Sequence, residues 1–132
     1  MNQELYAENI VDHYKHPRNK GTLENPDIHS HEYNPLCGDD IDIYIQLDGD
    51  IIKEIRFNGR GCAISQASAS MLLEYLDGKK IEDAKKVTRK EILEMLGIEI
   101  GVVRMKCAIL GLSTLQKGIL LREKGAGNVT GN

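Results

Sequence analysis

Residues 41–57 read Ile41-Asp42-Ile43-Tyr44-Ile45-Gln46-Leu47-Asp48-Gly49-Asp50-Ile51-Ile52-Lys53-Glu54-Ile55-Arg56-Phe57. Ile41, Ile43, Ile45 and Leu47 alternate with Asp42, Tyr44 and Gln46, the period of two that gives a strand one apolar face. Asp48-Gly49 supplies a hairpin turn, and Ile51 to Phe57 continues as the returning strand.

C-terminal to this hairpin the period changes. Gly59-Arg60-Gly61 breaks the second strand. Ala63 to Leu76 then carries Ala67, Ser68, Ala69 and Ser70 followed by Met71, Leu72, Leu73 and Leu76 at helical spacing, up to Gly78. A short helix is predicted over Ile81–Lys86. Thr88 with Glu91 makes a capping box ahead of Ile92, Leu93, Met95 and Leu96, and Gly97 closes that helix. The last helix is expected from about Lys106 to Lys124, with Ile109, Leu110, Leu112, Leu115 and Ile119 on its apolar side and 125–132 as a flexible tail.

N-terminal to the hairpin, Leu5, Tyr6, Ile10, Val11 and Tyr14 mark an amphipathic helix from about Gln3 to Lys15, stopped by Pro17 and Gly21. Thr22 to Pro35 is polar with two prolines, and His29 to Tyr33 reads at most as a weak edge strand. The order predicts an α+β fold in a single domain over residues 1–132: a small antiparallel sheet of about three strands with N-terminal and C-terminal helices packed on one face.

Composition narrows the function. With 41% apolar and 28% charged residues the chain reads as a soluble globular protein rather than a disordered or membrane one. A net charge of −3, no Trp and one Phe argue against nucleic acid as a partner. The start Met1-Asn2-Gln3-Glu4 shows no secretion signal, and the apolar runs are too short for membrane spans. Three cysteines cannot all pair within one chain, which points to free thiols in the cytoplasm.

Those thiols fall at junctions. Cys37 lies in a loop just before the hairpin, Cys62 in the turn after it, and Cys107 at the predicted start of the last helix. Cys62 and Cys107 are thus expected at helix N-termini, where the dipole, with Arg60 and Lys106 adjacent, favours a thiolate. Asp39, two residues after Cys37, can offer an oxygen to a metal held by that sulfur. Three thiolates and one carboxylate make four ligands, although the spacing matches no zinc-finger pattern, and unrelated buried thiols remain an equal alternative. His29-x-His31 could chelate a metal from one strand face, but two histidines in a polar loop are more often solvated. His13 and His16 read as cations at a helix C-terminus. Gly59-x-Gly61 lacks the third glycine of a nucleotide-binding loop.

Asn34-Pro35-Leu36-Cys37-Gly38-Asp39, Gly59-Arg60-Gly61-Cys62-Ala63-Ile64-Ser65 with Ala67-Ser68-Ala69-Ser70, Arg104-Met105-Lys106-Cys107 and Asp12-His13-Tyr14-Lys15-His16-Pro17-Arg18-Asn19 together span nearly the whole chain. In these segments the sequence resembles the NifU/IscU/SufU family of iron–sulfur cluster assembly scaffolds. The resemblance implies a scaffold, rather than an enzyme with turnover, that assembles a [2Fe–2S] cluster on Cys37, Asp39, Cys62 and Cys107. It also implies a cysteine desulfurase as sulfur source, an iron donor, apo iron–sulfur proteins as recipients, and a homodimer as one compatible state. Cys107 is the first candidate to carry persulfide and Cys37 the second. The length is similar to the IscU branch. Lys106 before the last Cys is as in the SufU branch, which implies as alternative a Zn2+-bound sulfurtransferase that accepts persulfide and activates the desulfurase. The chaperone motif of the IscU branch is replaced by Gly101-Val102-Val103-Arg104.

Overall fold

The computed structural model describes residues 3–125. Its elements are α1 (Gln3–Lys15), β1 (Ile28–Asn34), β2 (Asp39–Asp48), β3 (Ile51–Arg60), α2 (Ala63–Leu76), α3 (Ile81–Lys86), α4 (Arg89–Leu96) and α5 (Val102–Glu123). The strands form one antiparallel sheet in the order β1-β2-β3. The expected α+β class is therefore what the chain adopts.

The period-two reading of β2 holds in three dimensions. Ile41, Ile43 and Ile45 have no exposed surface, whereas Asp40, Asp42 and Tyr44 lie half-exposed on the other face. Each buried isoleucine contributes roughly 1.5–3 kcal/mol relative to an exposed one. Ile52, Ile55 and Phe57 of β3 join the same buried face, with a register irregularity opposite Gln46/Leu47. Helices α2 and α5 pack against this face, and α1 packs on α2. Covered by α1, α5 and the sheet, α2 is buried continuously from Ile64 to Leu73. Its serines satisfy themselves locally or across helices: Ser68 Oγ donates to the Ala108 carbonyl at 2.6 Å.

Several expectations need correction. The turn residues are Gly49-Asp50 rather than Asp48-Gly49, because Asp48 still pairs with Ile51. Gly59 and Arg60 belong to β3 instead of ending it. A side chain at Gly59 would collide with the Asp40 carbonyl and stand 2.9 Å from Ile41 Cα, so glycine lets the strands close there. β1 is a full strand with Ile28, Ser30 and Asn34 turned inward, so His29 and His31 stand on a sheet rather than in a loop. α5 begins at Val102 rather than Lys106. Its first turn projects beyond the core, with Val102 92% and Val103 82% exposed, so no apolar periodicity announces it. The capping box at Thr88 and Glu91 is present, with Thr88 Oγ1 accepting from Glu91 N–H at 3.1 Å. Of the expected tail, residues 126–132 lie outside the described residues.

Candidate functional site

Four chain segments converge at one end of the sheet. The turn from β1 to β2 is held by Gly38 N–H donating to the Asn34 carbonyl at 2.9 Å, and it presents Cys37 exposed at its tip. β2 starts at Asp39, whose side chain turns toward the helices and is only 1% exposed. Cys62 is the N-cap of α2, extended and exposed, directly after β3. Cys107 reaches the same place from the second turn of α5 and is buried.

Asp39 is the hub. One carboxylate oxygen, Oδ1, accepts the Cys62 backbone N–H at 2.9 Å, and the other, Oδ2, lies 3.9 Å from Cys62 Sγ. Cys37 Sγ and Cys107 Sγ are 3.0 Å apart as free thiols. Donor atoms of Cys37, Asp39 and Cys107 lie within 4.8 Å of one another. Ligands at about 2.3 Å from a tetrahedral metal are roughly 3.8 Å apart, so the spacing fits a single ion or a small cluster. The chemistry also fits, since sulfur donors suit Zn2+ and iron–sulfur centres.

Gly61 makes the hub possible, a role the sequence alone did not signal. A Cβ there would fall on Asp39 Oδ1, 2.8 Å from Asp39 Cγ and 2.6 Å from Ser65 Oγ. Ser65 itself donates to the Cys62 carbonyl at 3.1 Å, fixing the entry into α2. Buried Asn34 Nδ2, beside the Cys37 turn, has no hydrogen-bond partner among the described residues.

The electrostatics correct one expectation. Cys107 lies inside α5 rather than at its N-terminus, and burial pushes its thiol well above the ordinary cysteine range, with hydrogen bonds to Cys37 and Asp39 adding to the effect. A neutral thiol is favoured there in the metal-free chain. Lys106 is exposed, and so is Arg60, whose Nε lies 3.6 Å from Asp40 on the other sheet face.

The histidines also depart from expectation. His13 is buried, 5% exposed, with Nδ1 2.8 Å from Ser70 Oγ. That hydroxyl also accepts the Arg18 N–H at 2.8 Å, and His13 Nε2 faces Glu74 at 3.8 Å. Burial holds the His13 pKa below its ordinary value, and His13 serves the α1–α2 contact rather than a helix dipole. His29 and His31 face Asp42 and Asp40 on the open side of the sheet.

Fold and site together define a small α+β domain that gathers three thiols around a buried carboxylate. The sequence matches the NifU-like N terminal domain family over residues 5–124, and the chain belongs to that family. It is 39% identical to the zinc-dependent sulfurtransferase SufU of Bacillus subtilis, over 92% of this chain and 93% of that protein. It is 37% identical to the iron-sulfur cluster assembly scaffold protein IscU 1 of Archaeoglobus fulgidus, over 88% of this chain and 75% of that protein. The fold is similar to the crystal structure of a candidate SUF-system assembly scaffold from Fervidobacterium islandicum, with TM-score 0.72, 28% identity, and 90% of this chain and 99% of that chain covered. No helix among the described residues is long and apolar enough to cross a membrane.

Proposed function

We propose that this chain is a cytoplasmic assembly scaffold that takes sulfur from a cysteine desulfurase and iron from a donor, builds a [2Fe–2S] cluster as cargo on Cys37, Asp39, Cys62 and Cys107, and delivers it to apoproteins. The observation that carries the reading is the convergence of three thiols on one buried carboxylate at the junctions of β1–β2, β3–α2 and α5. Iron–sulfur centres favour sulfur donors, so one carboxylate among four ligands loosens the hold and suits a site that must release its cargo. The exposed sulfurs of Cys37 and Cys62 give a partner access. The scaffold names of the IscU relatives support the same reading.

Sulfur enters when a thiolate attacks the outer sulfur of the desulfurase's persulfide. A new S–S bond forms on the scaffold, the enzyme's S–S bond breaks, and the enzyme thiolate leaves. In the metal-free chain Cys37 is the accessible candidate, while buried Cys107 lies 3.0 Å behind it, within reach for onward transfer.

A second reading, a zinc-bound sulfur acceptor that activates the desulfurase, is favoured by one specific observation: the relative at 39% identity is named a zinc-dependent sulfurtransferase. Zinc would take the same three cysteines and Asp39 and hold the thiols deprotonated. Anaerobic reconstitution with ferrous iron, cysteine and a desulfurase tests the two readings. A coloured [2Fe–2S] species that moves to an apo-ferredoxin supports the scaffold. Zinc that iron does not displace, with persulfide on one cysteine and faster desulfurase turnover, supports the relay and overturns the scaffold.

A further inference from the structure

The face of the sheet opposite the helices carries a second set of ligating side chains. His31 stands across from Asp42 in the β1–β2 register, and its Nε2 lies 3.6 Å from Asp40 Oδ1. Ligand atoms of His31, Asp40 and Asp42 all fall within 4.8 Å of one another, and each residue is half-exposed. Asp39 and Asp40 are neighbours in the chain but point to opposite faces of β2, so this set is separate from the thiols.

Two features distinguish the set from ordinary cross-strand pairs. First, Asp40 and Asp42 bring two carboxylates together, and the nearby Arg60 guanidinium, with a side chain 89% exposed and 3.6 Å from Asp40, compensates this repulsion weakly. Second, the arrangement has an orienting layer. His29 Nε2 is 2.8 Å from Asp42 Oδ1, and the His29 ring is stacked on Tyr44 with centroids 4.3 Å apart. A histidine fixed by an aromatic face and bonded to a carboxylate ligand is the kind of partner that aims a ligand at a metal.

We infer that His31, Asp40 and Asp42 form a site for a divalent first-row transition metal, with His29 as a positioning residue that holds Asp42. One imidazole and two carboxylates suit Fe2+, Co2+ or Zn2+, whereas an all-oxygen set would suit Mg2+ or Ca2+. Water completes the coordination on this open face.

The test uses the full chain with Cys37→Ser, Cys62→Ser and Cys107→Ser combined, so that thiols cannot take the ion and the outcome is independent of the cluster site. Co2+ is titrated anaerobically by calorimetry and followed by visible absorption, with folding checked by circular dichroism. The expected result is one Co2+ per chain, bound more tightly than ~1 mM, with His31→Gln and Asp42→Asn each weakening it at least about tenfold. His29→Gln should weaken it by a smaller factor. Should the serine variant fail to fold, the unaltered chain gives the same answer: its second Co2+ equivalent should show ligand-field bands with no thiolate charge-transfer band, and should be lost in His31→Gln. Absent binding in folded protein, equal binding by the variants, or equal binding of Mg2+ would overturn the inference.

Discussion

Replacing Gly61 by Ala adds one methyl group at the centre of the thiol site. Its backbone lies outside the left-handed region, so the effect is steric rather than conformational. The new carbon would land on Asp39 Oδ1 and 2.6 Å from Ser65 Oγ. Asp39 is 1% exposed and cannot swing into water without giving up the bond it accepts from Cys62 N–H at 2.9 Å. A hydrogen bond to a charged group is worth about 1.5–3 kcal/mol, so a loss of about 2 kcal/mol is expected. For a chain of this size that lowers Tm by about 8 °C. On the proposed reading, displacing Asp39 also takes the one oxygen donor out of place, so a reconstituted cluster should persist longer and transfer more slowly, in the same direction as in Asp39→Ala. Gly101→Ala is the matched control, because nothing lies within 4 Å of a Cβ there, and its Tm should stay within about 2 °C of the parent. Differential scanning calorimetry reads Tm, and visible absorbance reads cluster lifetime and transfer. A Gly61→Ala protein that melts like Gly101→Ala and whose cluster lifetime and transfer match the parent would refute the claim that Gly61 makes room for Asp39.

Three further outcomes are expected. Asp39→Ala should give a cluster that persists longer and transfers more slowly to an apo-ferredoxin, followed by visible absorbance; an unchanged lifetime and transfer rate would count against Asp39 as a ligand. His13 has its pKa lowered by burial below an unfolded value near 6.5, so the unfolded chain takes the proton first as pH falls. Its contribution is present above pH 6.5 and lost below it, and urea unfolding of His13→Gln from pH 7.5 to 5.5 should lose less stability than the parent. Thr88→Ala removes the side-chain acceptor of Glu91 N–H and should cost about 1 kcal/mol, read as a lower Tm.

The elements governed by local chemistry were legible in the sequence. The β2–β3 hairpin, the span of α3 and the cap of α4 follow from alternation and capping residues that act within a few positions. What stayed hidden depends on distant partners. Nothing near His13 in the chain announces Ser70, 57 residues away, which turns a surface cation into a buried neutral ring. The first turn of α5 has no buried face, so its start was unreadable, and with it the depth of Cys107. The residues of the thiol site could be named from the family resemblance. Their arrangement around Asp39, and the space left by Gly61, exist only once β2, α2 and α5 are packed together.

The proposed function requires Cys37, Asp39, Cys62 and Cys107 to act as one site. Its most direct test is the visible spectrum after anaerobic reconstitution of the parent chain beside its Cys37→Ser, Cys62→Ser and Cys107→Ser variants, each checked for folding. [2Fe–2S] bands are expected in the parent, with their loss as a stable species in every variant, Cys107→Ser included. A folded Cys107→Ser protein that keeps the full bands would contradict it.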